Sequence, residues 1–150
     1  MTELRFYHLE RQPLEKILPQ LVERSLERGW RVVIRADSDE HAESLSNILW
    51  TFSEESFVAH GTRADGNADL QPVWLTSDNE NPNQANVAFF VGGAPLENIE
   101  GFERNVVLFD GADEEAVNRA REEWKKAKAV GHEISYWQQD ETGRWKNRAD

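Results

Sequence analysis

Four short runs of adjacent apolar residues constrain this chain more than anything else in it: 31–36 (RVVIRA), 72–76 (PVWLT), 87–91 (VAFFV) and 106–109 (VVLF). They do not alternate apolar with polar, as a strand with one wet face would. Each reads as a strand covered on both faces, the situation of a parallel sheet. Residues 4–9 (LRFYHL) alternate enough to form a first strand. Between the strands lie segments of helical period. After Pro13, Leu14, Ile17, Leu18, Leu21, Val22 and Leu26 recur every three to four residues, and Gly29 stops the pattern. Pro19 inside it predicts a kink or a later start. Ser38 caps a second helix with Ala42, Leu45 and Leu49 on its apolar side, running into Trp50. This strand–helix–strand–helix opening predicts an α/β fold with a mostly parallel sheet.

The middle of the chain is irregular. Residues 53–60 read as a turn leading into a short extended piece, 61–69 as a loop and 77–84 (SDNENPNQ) as a turn cluster. A helix over 113–131 and a last strand over 132–138 follow, and the polar segment 139–150 reads as a flexible tail except near Trp145. With no repeat and no linker, residues 1–150 form one domain.

Charge narrows the function. There are 28 Asp and Glu against 17 Lys and Arg, a net charge of -11. Direct binding of nucleic acid needs a basic surface, so that class is disfavoured. The absence of cysteine excludes thiol catalysis and thiolate metal sites. The start, MTELRFYHLER, lacks the basic and apolar regions of a signal peptide, and no run approaches the ~18 apolar residues of a membrane span. The expectation is a cytoplasmic protein. Its six Trp include candidates for partner anchors.

The helix over 113–131 (DEEAVNRAREEWKKAKAVG) carries the strongest binding signal. Asp113, Glu114 and Glu115 suit its positive N-terminus, and Lys125, Lys126 and Lys128 suit its C-terminus before Gly131. Val117, Ala120, Trp124 and Ala127 make an apolar stripe, and Arg121, Lys125 and Lys128 a basic ridge beside it. On so acidic a protein, that combination suits a small acidic partner. The same lysines also serve a solvated helix that complements its own dipole.

Catalytic and cofactor motifs are missing. There is no G-x-G-x-x-G, no G-x-x-x-x-G-K-[ST] and no G-x-S-x-G. Gly92-Gly93 follows a strand but leads into Ala94-Pro95 rather than a capped helix. His8, His41, His60 and His132 have no metal-ligand spacing. Asp110-Gly111 lies where α/β enzymes place catalytic groups, and reads more simply as the turn into the last helix. Neither a cofactor nor a metal is expected. A small nucleotide- or metabolite-dependent enzyme on a Rossmann-like sheet is the rival reading.

Several stretches together resemble the chi subunit family of the bacterial DNA polymerase III holoenzyme. They are FYHL at 6–9, RGWRVVIRA at 28–36, LWTFSEESFVAHG at 49–61, NPN at 81–83, FERNVVLFDG at 102–111 and AVGHEISYWQ at 129–138. The set LW-x4-ESF-x2-HG followed by W-K-x5-G is the most specific part. The resemblance implies a non-catalytic, single Rossmann-like α/β domain without the nucleotide fingerprint, serving the clamp-loader assembly. It implies two partner surfaces. One captures the acidic C-terminal tail of the single-stranded-DNA-binding protein, which ends in a phenylalanine and its carboxylate. Arg121, Trp124 and Lys125 match the tail-binding positions, with Val117 and Lys128 as neighbours, and Trp124 stands where relatives carry Tyr. The other surface, through Trp50 and Phe57, binds the small psi subunit, or a partner such as a helicase where psi is missing.

Overall fold

The computed structural model describes residues 3–10, 12–51, 61–62, 71–78, 80–97 and 99–147, with the backbone alone at 50 and 51. In chain order the elements are β1 (Glu3–Leu9), α1 (Leu14–Glu27), β2 (Val32–Arg35), α2 (Asp39–Thr51), β3 (Val73–Thr76), β4 (Val87–Phe90), β5 (Arg104–Asp110), α3 (Glu114–Val130), β6 (Glu133–Gln139) and β7 (Trp145–Asn147). The strands form a single sheet in the order β3-β2-β4-β5-β1-β6-β7. All neighbours are parallel except β7, which runs antiparallel to β6. The apolar runs occupy the part of the sheet covered on both faces, and β2, β3 and β4 are buried at every position.

Each face of the sheet has its own cover. Leu21, Val22, Leu45 and Leu49 of α1 and α2 pack on Tyr7, Ile34, Phe89 and Val106. On the opposite face Ala120 and Ala127 of α3 pack on Leu4, Phe6 and Phe109. The β4–β5 connection extends that second cover, with Leu96, Ile99 and Phe102 over Val33, Ala88 and Phe90. Phe6, Phe89 and Phe90 are among the largest fully buried side chains, each worth roughly 2–3 kcal/mol of transfer free energy.

Buried polar groups tie the irregular connections to the sheet. Asn83 Nδ2 donates to the carbonyls of Val32 (3.0 Å) and Gln71 (2.9 Å), which fixes the 77–86 turn against β2. Arg35 is 3% exposed, with its guanidinium over the Phe90 and Phe102 rings, and donates to the carbonyls of Glu97 (2.6 Å) and Glu80 (3.3 Å). Buried donors of this kind are stable only when they are satisfied.

At two elements the structure narrows the expectation. Helix α1 runs unbroken from Leu14 to Glu27 through Pro19, which excludes the later start. Pro13 sits at its N-cap, and the Pro19 ring faces the core, where burial offsets the backbone bond it cannot make. At the other end, β6 extends to Gln139 and the chain turns back as β7 from Trp145, the part of the tail excepted from the expected flexibility. Asp140 holds that turn by accepting from the Thr142 hydroxyl (2.6 Å) and from the N–H groups of Thr142 (2.8 Å) and Arg144 (3.0 Å). Trp145 then packs edge-on against Tyr7 at 4.9 Å between ring centroids, and Trp137 stacks on the same phenol at 6.1 Å.

Candidate functional site

Helix α3 has the boundaries its sequence encodes. The Asp113 carboxylate accepts from the N–H groups of Glu115 (3.0 Å) and Ala116 (3.4 Å), and Glu114 and Glu115 occupy the positive first turn. Gly131 closes the helix at φ 92°, a left-handed conformation that a side chain rarely adopts. Alanines at 120 and 127 let the helix lie close on β1 and β5.

At roughly 100° per residue, Val117, Arg121, Trp124 and Lys128 share one stripe along the edge of this buried face, with Lys125 a step further out. Trp124 is half-buried and meets Phe6 edge-on at 5.5 Å and Tyr136 at 6.0 Å. It therefore serves both as core and as the wall of the stripe. Burial raises the pKa of the Tyr136 phenol, the Arg121 charge opposes that rise, and Glu10 adds to it. The phenol in turn shares a hydrogen bond with His8 Nδ1, and His8 Nε2 lies 2.8 Å from Glu10. His8 packs against the backbone of Gly111, where any Cβ would collide with the imidazole.

The structure packs Val117 and Trp124 on one cluster with Tyr136, which His8 meets and which, like His8, sequence reasoning missed, and Arg121 lies exposed on the same helical stripe. The signal for Tyr136 was the alternation in 133–139, which sends Ile134 and Tyr136 to the α3 face and Trp137 to the other. Lys125 and Lys128 stand off from this cluster. Lys125 is 74% exposed and lies 3.9 Å from Glu122, and Lys128 is exposed in the last turn. The second expected surface cannot be placed: Phe57 and the Trp50 side chain lie outside the described residues.

Two cavities flank this region. One of about 230 Å³ lies on the other side of α3, between Ala116, Arg119 and the loop 92–96. The other, about 440 Å³, opens at the C-terminal ends of β1 and β5, whose following helices pass to opposite faces of the sheet. Open α/β sheets bind ligands at such a point. Here, however, the cavity is walled by Glu10, Glu15 and Asp110, and three carboxylates repel a phosphate.

Residues 1–135 match the family described as DNA polymerase III chi subunit, HolC. The chain belongs to that family. A relative named probable DNA polymerase III subunit chi, from Rickettsia prowazekii (strain Madrid E), is 26% identical over 117 residues, spanning 73% of this chain and 71% of its own length. Membership in the chi family makes this chain a component of a DNA polymerase III complex in DNA replication. Among the described residues, no helix is long and apolar enough to cross a membrane, and no group of three His, Cys, Asp or Glu could hold a metal.

Proposed function

We propose that this chi-family chain is an adaptor that holds the polymerase assembly to single-stranded DNA through the C-terminal tail of the single-stranded-DNA-binding protein. The reading rests on one observation, an exposed Arg121 on the same helical stripe as half-buried Trp124, whose ring meets Tyr136 edge-on. A guanidinium donates a fork of charge-assisted bonds to a terminal carboxylate, which are stronger than neutral ones. The edge of Trp124 takes the terminal phenylalanine ring. Acidic residues upstream in the tail run along Lys125 and Lys128. Capture of a carboxylate end in this way is a recurrent recognition mode. Modest affinity for one tail is multiplied where several tails are held at high local concentration. A second surface, carrying Trp50 and Phe57, holds the psi subunit, or a helicase where psi is missing. No residue is asked to perform a catalytic step.

The test is calorimetric titration with an acidic peptide ending in Asp-Ile-Pro-Phe. Binding is expected to weaken as salt rises, because part of the attraction is ionic, and to weaken further in Arg121→Ala. A salt-independent affinity, or one that Arg121→Ala leaves unchanged, would exclude this site.

A further inference from the structure

On the sheet face away from α3, a cavity of about 410 Å³ opens between the end of α1 and the N-terminal parts of β1, β4 and β5. Its rim carries Arg5, Arg24, Arg28 and Arg104 and the single acid Glu27. Four of the chain's 17 basic residues gather here, on a protein of net charge -11. All are arginine, whereas the basic ridge of α3 is mostly lysine. Arginine presents a planar fork that matches phosphate geometry with two bonds at once.

The guanidiniums are held in place. Glu3 bridges two of them through their Nε atoms, Arg104 at 2.6 Å and Arg5 at 3.2 Å. Arg5 is also hydrogen-bonded to the Tyr7 side chain, while among the described residues Arg104 is engaged through Nε alone, which leaves its terminal N–H groups for another acceptor. Arg28 and Arg104 both lie over the Trp30 ring, at 4.1 and 5.0 Å from its centroid, and Arg5 lies over Trp137 at 5.3 Å. Among the described residues no carboxylate pairs with Arg24 or Arg28. Counting Glu3 and Glu27, the rim retains two uncompensated positive charges, from four guanidiniums less two carboxylates. Below the rim the floor is apolar, formed by Tyr7, Leu21, Phe89 and Val106. Cavities of roughly 300–1,000 Å³ with an apolar lining and a few convergent polar groups are the usual form of a small-molecule site.

We infer that this arginine-rimmed cavity binds a mononucleotide-sized phosphate ester, with its phosphates on the guanidinium forks and its base on the apolar floor. The site differs from the usual nucleotide crevice of α/β sheets, which here is walled by carboxylates at the opposite end of the strands. It is also independent of the α3 stripe, from which the whole sheet separates it.

The experiment is titration of the full chain with ATP, AMP, inorganic phosphate and a short single-stranded oligonucleotide, at low salt and without divalent cations. It is followed by calorimetry and by tryptophan fluorescence, since Trp30 and Trp137 lie under the rim arginines. Arg24→Ala/Arg28→Ala removes two exposed cations at the C-terminal end of α1 that the core does not use, and thermal melting checks that it folds. ATP is expected to bind more tightly than inorganic phosphate, and the double variant to lose about tenfold or more in ATP affinity. Lys125→Ala/Lys128→Ala is expected to bind ATP as the parent does. Four results would overturn the assignment: no binding of ATP at about 1 mM, an affinity unchanged in the folded double variant, equal affinity for ATP and inorganic phosphate, or tighter binding of the oligonucleotide than of ATP. Loss of the acidic peptide in the double variant, with no ATP binding by the parent, would overturn it too and give the cavity to the peptide.

Discussion

Arg121 and Lys125 are one turn apart on α3, yet their surroundings make them unequal. The Arg121 charge acts on the half-buried Tyr136 phenol, while Lys125 is 74% exposed and screened by water and by Glu122. Arg121→Ala is therefore expected to weaken the acidic peptide about tenfold, and Lys125→Ala by no more than about threefold. Both should leave stability within about 0.5 kcal/mol, as is usual for surface substitutions. Calorimetry paired with thermal melting separates the two quantities, and a larger loss in Lys125→Ala would reverse the ranking. In the sequence the two cations looked alike, because helical period gives the face of a residue and not what stands opposite. The group on which the Arg121 charge acts, Tyr136, arrives from a strand 15 residues further along the chain.

At the scale of the element, α3 was legible throughout because its signals are local. Asp113 caps it, acids precede bases, and Gly131 ends it. Replacing Asp113 with Ala removes the acceptor for the Glu115 and Ala116 N–H groups and is expected to cost about 1 kcal/mol, measured by urea unfolding. No loss would mean that water serves those groups as well. Helix α1 was legible in its period, and of the outcomes Pro19 suggested the later start does not occur. A proline on the buried face gains packing that a local rule leaves out. Strand β7 was the least legible element. It has three residues, and what holds it is the Asp140 turn and the contact of Trp145 with Tyr7, which is remote in sequence.

Across the whole molecule, the strands and the α/β class could be read from the apolar runs, but the order of the strands could not. That order depends on which helix crosses which face, and on pairings such as Glu3 with Arg104 across 101 positions of chain. The same pairing gives stability a pH dependence. Burial raises the Glu3 carboxyl, but Arg104 and Arg5 outweigh it and hold the pKa below the usual value of 4.5. A depressed carboxyl stabilises the fold above its unfolded pKa, and that contribution fades as pH falls through the folded value. Urea unfolding from pH 6 to pH 3 is expected to show a shallower loss of stability in Glu3→Gln than in the parent. Parallel profiles would show that the bridge contributes nothing to stability.

Strand β7 also has a bearing on solubility. A sheet that ended at β6 would offer open backbone groups beside Trp137, a template on which a second copy could add a strand. Instead the last three positions of β6 are capped by a short antiparallel strand bearing an exposed Lys146. The far edge is equally brief, since β3 has four residues and Gly61 bridges to its Trp74. A chain stopped after Asp140 is expected to scatter light at concentrations where the parent stays clear. If it remains clear, β7 serves only to pack Trp145.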